Sequence, residues 1–300
     1  MGKDSPKVSI VIPHWNGKKI LEDCLNSLSK IKYPNYNVVI SDNGSTDGSQ
    51  DFIKKNFPSA ILIENKENLG FAGGCNRGIK WALKYGADYI LLLNNDTVVA
   101  TDFLDKMVET AEEDKKIGIV GAKIYYYDQP KKIWFGGGDF IKWRASGKHR
   151  FWQKKDSPKL SGVQKSDFIT GCVTLIRKEV FEDIGYLYEP YFLTIEDLDF
   201  SWSAEKAGWK IKVNLDAYVW HKVSSSRAGE FSFSNGYYGT RNRLFFAFQR
   251  THNFIGGLVL LFLVLPARIV QWFSTGHLTM AKGTILGCLA FFRNEWGPRK

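Results

Sequence analysis

No two of the four cysteines in this 300-residue chain stand close together. Cys24, Cys75, Cys172 and Cys288 form no CxxC pair, which sets aside a zinc knuckle or a disulfide framework and fits a reduced, cytoplasmic setting. The GxGxxG spacing of dinucleotide-binding folds is missing, as is GxxxxGK(S/T), so a nicotinamide-dependent oxidoreductase and a P-loop nucleotidase are both disfavoured. Behind the charges of the opening MGKDSPK there is no apolar run, and no signal peptide is expected. Acid is scarce in one part only. Residues 1–130 carry 16 Lys/Arg against 17 Asp/Glu, whereas residues 131–300 carry 25 against 14, so the whole net charge of +10 sits in the second part. Such a surplus suits nucleic-acid phosphates, anionic lipid headgroups or a diphosphate-bearing substrate, and position has to choose among them. Residues 142–165 hold eight Lys/Arg against one Asp and read as a mobile basic loop.

What is present is enough apolar matter, 44% of residues with 15% aromatic, for one large core or a core with a small appendage. Val8–Ile12 is β-branched and stops at Pro13; Ile20, Leu21, Cys24, Leu25 and Leu28 then recur at helical spacing, and a second strand is predicted at Asn37–Ser41. The alternation continues with a helix at Gln50–Asn56, a strand at Ala60–Glu64, a helix at Ala72–Tyr85 stopped by Gly86, and a buried strand at Tyr89–Leu93. Further extended stretches are read at Ile119–Tyr127 and Asp167–Arg177, with a helix at Lys178–Ile184. Strands alternating with helices predict a mostly parallel sheet with ligands at the strand C-termini.

Function is therefore sought in the loops after the strands. These carry Pro13-His14-Trp15-Asn16, Asp42-Asn43-Gly44-Ser45-Thr46-Asp47-Gly48 and Asn94-Asn95-Asp96. A carboxylate at Asp42 suits the N3 hydrogen of a pyrimidine, with backbone near Pro13 framing the ring, although the loop alone reads equally as a capped turn. Asp96, at the mouth of an apolar strand, suits Mg²⁺ or Mn²⁺ bridging a diphosphate, against the alternative of a simple turn. Gly70-Phe71-Ala72-Gly73-Gly74-Cys75-Asn76-Arg77 opens a helix with glycines that let backbone approach phosphate or ribose, and Arg77 reads as a nucleotide contact or a solvated surface residue. Glu196-Asp197-Leu198-Asp199 offers a general base or merely dipole-complementing charge, and His221 an imidazole metal ligand or a packed histidine.

Taken in order, these motifs resemble family-2 inverting glycosyltransferases of the GT-A fold, in the branch that includes rhamnosyltransferases. The resemblance runs from Val8 to Phe246, through VSIVIP, Asp42-Asn-Gly-Ser, Asn68–Gly78, Asn94-Asn95-Asp96, Gly171-Cys172, Glu196-Asp197-x-Asp199 and His221. It implies an α/β, Rossmann-like mixed sheet flanked by helices at 1–250, with a nucleotide-binding part at 1–115, an acceptor and catalytic part at 116–250, and a helical, membrane-associated extension at 251–300. It implies that Asp42 recognises uracil or thymine, with Pro13, His14, Trp15, Asn16, Asn43, Gly73, Asn76, Arg77 and Asn95 also at the nucleotide. Asp96 and His221 are implied to hold Mn²⁺ or Mg²⁺ and Asp197 to be the catalytic base. Gly171, Cys172, Glu196, Trp134 and Gly137 are implied to lie near sugar and acceptor.

The expected activity is transfer of one hexosyl unit, rhamnose as first choice, from a UDP- or dTDP-sugar to a glycan or polyprenyl-diphosphate-linked acceptor in cell-surface polysaccharide synthesis. The QxxRW motif of processive polymerases is absent. Two departures stand out: Asn94 replaces the first acid of the family's DxD, and Ser203 stands where an arginine is common. They motivate a second reading, a catalytically silent sugar-nucleotide or glycan-binding protein on the same fold. A nucleic-acid partner explains none of the acidic loops and is not expected. Phe254–Pro266 is apolar for thirteen residues, short of the ~20 that span a bilayer unless extended to Phe273. With Arg268, Lys282, Arg293, Arg299 and Lys300 beside it, an interfacial helix on the anionic inner face of the cell membrane is expected, the alternative being a core or homodimer helix.

Overall fold

The computed structural model describes residues 5–223 and 232–299; Ser224-Ser225-Ser226, just after His221, and Lys300 lie outside them. Three βα repeats and a fourth strand open the chain: β1 (Val8–His14), α1 (Lys18–Leu28), β2 (Tyr36–Asp42), α2 (Ser49–Asn56), β3 (Ile61–Glu64), α3 (Gly70–Lys84) and β4 (Tyr89–Leu93). A short β5 (Thr97–Val99) and α4 (Phe103–Glu112) lead into the long β6 (Ile117–Tyr126). Next come β7 (Gln129–Phe135), the hairpin β8 (Gly138–Ile141) and β9 (Ser146–His149), β10 (Val163–Lys165) and β11 (Val173–Arg177). The chain closes with α5 (Lys178–Ile184), α6 (Glu196–Lys206), β12 (Lys210–His221), α7 (Phe233–Phe245), α8 (Phe254–Val259), α9 (Leu265–Ser274) and α10 (Leu278–Phe292).

Among the described residues, the central sheet runs β10-β12-β6-β11-β4-β1-β2-β3, with β5 joined to β12 and β7 to β6. Strands β1 to β4 are parallel neighbours, β11 is antiparallel to both β4 and β6, and β12 is parallel to β6. The sheet is therefore mixed. β1 and β4 are buried on both faces because helices cover both, which is why they read as unbroken apolar runs rather than alternating ones. On α1 the buried residues Leu21, Cys24, Leu25 and Leu28 make one stripe, and Asp47 Oδ2 caps the start of the helix by accepting from the N–H of Gly17 (2.7 Å) and Lys18 (3.0 Å). Burial raises the Asp47 carboxyl, but bonds from the Ser49 hydroxyl and from the N–H groups of Lys18, Gly17 and Ser49 outweigh it and bring it down to about 2.

The basic stretch 142–165 is not the mobile loop its composition suggests. Its start pairs in the β8–β9 hairpin, and its later part is laced to β7 by Ile133 N–H to Lys154 O and Gln153 N–H to Ile133 O, both 2.8 Å. Lys123, buried on β6, holds Asp156 at 3.1 Å while Tyr125 donates its hydroxyl to the same carboxylate at 2.5 Å. Breaking such a pair by removing one partner costs about 3–5 kcal/mol, enough to fix a segment that its own sequence would leave loose. The extended stretch expected at Asp167–Arg177 is a strand only from Val173, since Phe168 and Ser166 turn inward to pack and bond against Gly138.

Phe254 to Ser274 is one continuous 21-residue helix, α8 and α9 being joined through a π-helical stretch at Leu260–Val264. Pro266 has no N–H to give to the preceding turn, and the wide π turn just before it accommodates that gap. α10 packs on α7 so closely that a Cβ on Gly283 would sit 2.3 Å from Phe233 O, and one on Gly287 2.3 Å from Tyr237 O.

Candidate active site

The sheet register itself assembles the acidic loops. β1 ends at His14 directly opposite Asp42 at the end of β2, and His14 Nδ1 pairs with Asn95 Nδ2 at 2.9 Å, tying both to the loop after β4. β5 then pairs Thr97 with His221 of β12, and Lys222 N–H bonds Asp96 O at 2.9 Å. As a result Asp96 Oδ1 lies 3.0 Å from His221 Nε2, both side chains nearly buried. Burial lowers the His221 imidazole, whereas Cys172 and the Asp96 carboxylate beside it raise it, the balance coming to about 10.

Asp96 and His221 line an open cleft of about 1000 Å³ whose wall also carries Asp197, Glu196, Gly171 and Trp134. Asp197 sits in the first turn of α6, half-buried, where the helix dipole favours its charge; its Oδ2 accepts Gly171 N–H at 3.0 Å and its Oδ1 accepts Leu198 N–H at 2.8 Å. Trp134 lays its ring edge-on to His221 with centroids 4.8 Å apart. Asp42 is fully buried at the adjoining strand end, outside the cleft lining. Its Oδ2 takes Gln50 Nε2 at 2.6 Å and Ser45 N–H at 3.0 Å, while its Oδ1, also buried, has no partner among the described residues. An orphaned buried acceptor at a sheet edge is costly to keep unless a ligand fills it.

The other expected site residues divide. Trp15 is half-exposed, Arg77 is exposed on α3, and Asn16, with φ of 57°, bonds the Ser45–Thr46 turn; Pro13 is partly buried beside them. Cys172 and Asn94 reach the cleft wall. Asn43 and Asn76 do not face a ligand. The Asn43 amide bonds Gly70 O at 2.9 Å and Asn65, and Asn76 spends both ends on Leu187 and Glu189. The glycines of α3 serve close packing rather than an open approach: a Cβ on Gly73 would meet Leu69 at 2.7 Å, and one on Gly74 would meet Asn43 Nδ2 at 2.8 Å. Gly137, with φ of 101°, makes the turn before β8 and stays out of the cleft.

Several cleft residues were hidden in the basic stretch. Lys148, His149, Arg150 and Lys154 form the wall facing the acids. Burial lowers the His149 imidazole, against the pull of Asp197 and the Trp134 carbonyl, so a neutral ring stands beside the carboxylate. Where Ser203 leaves α6 without its arginine, Arg250 arrives from beyond α7: its Nε binds both oxygens of Asp199, at 3.0 and 2.9 Å, and its Nη2 reaches Ser203 Oγ at 3.4 Å. Approaching Asp197, the backbone passes through left-handed φ at Phe192, Thr194 and Ile195 (62°, 66° and 76°), a strained run for non-glycine residues. Asn242, fully buried on α7, holds it by donating Nδ2 to the carbonyls of Tyr191, Leu193 and Thr194 at 2.9, 2.7 and 3.0 Å. Beside it, fully buried Arg241 binds the carbonyls of Pro190, Tyr191, Glu295 and Gly297.

Known proteins place this arrangement. The sequence profile described as Glycosyl transferase family 2 matches residues 9–185. The chain belongs to that family. A curated relative, the poly-beta-1,6-N-acetyl-D-glucosamine synthase of Staphylococcus aureus strain COL, is 27% identical over 253 residues, 82% of this chain and 58% of the relative. The family-2 chain thus spans little more than half the length of the curated relatives it matches. Its fold is shared with the mannosyltransferase PcManGT of Pyrobaculum calidifontis, solved with GDP-Man and Mn²⁺, at TM-score 0.62 and 15% identity, covering 97% of this chain and 88% of that one. TarS 1-349 of S. aureus, solved with UDP, gives TM-score 0.58 and 18% identity over 90% and 75% of the two chains. The mixed sheet with flanking helices is the expected GT-A fold, carrying the expected C-terminal helical extension.

Once the proton between them is displaced, Asp96 and His221 offer a carboxylate oxygen and an imidazole nitrogen 3.0 Å apart, donors that suit a cation of Mn²⁺ or Mg²⁺ type. Among the described residues no group of three or more His, Cys, Asp and Glu is placed to hold a metal ion.

Proposed function

We propose that the chain transfers a single sugar, with rhamnose as first choice, from a UDP- or dTDP-sugar to a hydroxyl of a glycan or polyprenyl-diphosphate-linked acceptor, with inversion at the anomeric carbon. One observation carries this reading. Asp197 and the Asp96–His221 pair share one cleft, while the unpartnered Oδ1 of Asp42 waits at the adjoining strand end. Asp42 accepts the N3 hydrogen of the pyrimidine, which would satisfy that buried oxygen. Asp197, held by Gly171 N–H and the start of α6, accepts the proton of the acceptor hydroxyl as its oxygen attacks the anomeric carbon opposite the diphosphate. Asp96 and His221 are the residues that would hold Mn²⁺ or Mg²⁺, which when bound would supply positive charge to the departing diphosphate. Lys148 and Lys154, which line the same cleft, add positive potential for the phosphates.

Part of the basic surplus thus has a local use at the donor. A position on the cytoplasmic face of the cell membrane belongs to the same proposal, and what supports it is the 21-residue apolar helix, whose most apolar window is 22% buried. Thermal-shift measurements against a panel of UDP-, dTDP- and GDP-sugars with Mn²⁺ test the donor assignment. UDP or dTDP compounds are expected to raise the melting temperature and GDP compounds to do so less, because guanine carries its N1–H farther from the ribose than a pyrimidine carries its N3–H. A preference for GDP-sugars overturns the assignment of Asp42.

A further inference from the structure

A second cavity of about 230 Å³ opens beside Asp197, away from the Asp96–His221 pair. Its lining brings together Arg144 from the turn between β8 and β9, Arg243 from α7 and Arg268 from α9. Three guanidinium groups from three separate segments share this lining with a single carboxylate, Asp197, so positive charge is in excess there and favours a further anion. Arg243 sharpens the point: its Nε is buried and has no hydrogen-bond partner among the described residues. Burial lowers its guanidinium to about 10, and Arg268 and Arg144 push the same way. It nevertheless stays charged at neutral pH, so an unneutralised cation is held inside the protein.

The arrangement is built rather than accidental. Arg144 is aimed by its Nε–H bond to Ser146 Oγ at 2.8 Å. The C-terminal helices are latched to the same turn, since Asn253 Nδ2 bonds Lys142 O and a Cβ on Gly256 would lie 2.7 Å from that oxygen. That latch brings Arg268 of α9 to Arg144 and Arg243. Arg268 stands on the helix whose Val270 and Phe273 are exposed, so the arginines sit where an apolar helix surface meets the catalytic cleft.

We propose that Arg144, Arg243 and Arg268 form an anion site that binds a phosphate or diphosphate group of the acceptor and so presents the acceptor hydroxyl to Asp197. This rests on the reading of Asp197 as the base of a sugar transferase. Guanidinium groups match phosphate oxygens in pairs, and a partly enclosed site strengthens such charge-assisted bonds. The apolar helix beside Arg268 favours a phosphate that carries a lipid chain over a free one.

Calorimetric titration of the full chain in EDTA, with geranyl diphosphate, inorganic pyrophosphate and geraniol as probes, tests the site. The diphosphates are expected to bind and geraniol to bind far more weakly. Arg243→Gln and Arg268→Gln should each weaken geranyl diphosphate by about tenfold, with Arg243→Lys in between, while UDP binding in Mn²⁺ stays unchanged. Tighter binding of geranyl diphosphate than of pyrophosphate identifies a lipid-linked acceptor; equal binding identifies a free anion, and both support the site. Arg268 is exposed, so its variant remains informative if Arg243→Gln does not fold. Unchanged diphosphate affinity in Arg268→Gln and Arg243→Lys, or equal binding of geraniol and geranyl diphosphate, overturns it. Arginine-dependent binding in a chain that transfers no sugar would leave the site standing and remove the transferase reading. Transfer with acceptor KM unchanged in both glutamine variants would do the reverse.

Discussion

Asn242 spends its whole amide on other parts of the chain. Its Nδ2 serves three carbonyls of the 191–194 segment and its Oδ1 accepts Arg241 Nε–H at 2.9 Å, all inside the protein. The segment it holds has left-handed backbone just before Asp197, a conformation that persists only when its surroundings impose it. Asn242→Ala should therefore act twice. Unpartnered buried carbonyls should cost about 2–4 kcal/mol, read as a lower melting temperature, and relaxation of the run should displace Asp197 and lower kcat at least ~10-fold. UDP affinity should hold, because Asp42 and the β1–β4 edge are built without this residue. A fall in UDP affinity with kcat intact would show that Asn242 acts elsewhere. Little of this was legible in the sequence: the partners of Arg241 and Asn242 are carbonyls some fifty residues away, and carbonyls carry no sequence signal. Asn43 and Asn76 mislead for the same reason, since polar residues in a glycine-rich segment look like ligand groups until the backbone they hold is seen.

At the scale of elements, periodicity served well where burial is local. β4 lies at Tyr89–Leu93 and α5 at Lys178–Ile184, the bounds their apolar patterns and flanks imply. It served poorly at 142–165, where the ordering groups are a buried lysine on β6 and the backbone of β7, neither visible in the local composition. The C-terminal helix lies between these cases. Apolar length alone left its course past Pro266 open, and the π turn at Leu260–Val264 lets it continue to Ser274. Its outward residues, Ile255 at 76% and Val270 at 68% exposure, are apolar with no protein cover among the described residues. If this surface seats on the cytoplasmic leaflet, flotation should recover the chain with anionic vesicles more than with neutral ones. Ile255→Glu with Val270→Glu should abolish recovery without changing the melting temperature by more than a few degrees, as expected for exposed sites. Undiminished flotation of that variant would rule out this face as the membrane contact.

Across the whole molecule, the sheet order does the work of assembly. β12 returns beside β6 and captures β5, so a histidine at position 221 meets an aspartate at position 96 through backbone pairing alone. The antiparallel β11, between β4 and β6, carries Gly171 and Cys172 at its start and so delivers Asp197's backbone donor to the same cleft. The cleft gathers acids from both parts of the chain, Asp96 from the first and Glu196 and Asp197 from the second, with Lys148 and Lys154 of the basic stretch. The ordered motifs made the family and fold readable because each marks a strand end; the compensation of Ser203 by Arg250 and the convergence of three arginines were not readable, because both depend on the packing of α7 to α9. The central claim is that Asp197 removes the acceptor proton. Its most direct measurement is sugar transfer by Asp197→Asn with the best donor of the panel, alongside that variant's affinity for the nucleoside diphosphate. Folding and nucleotide binding should match the parent chain while transfer falls by about 10²–10⁴. Transfer within a few-fold of the parent rate would contradict the account.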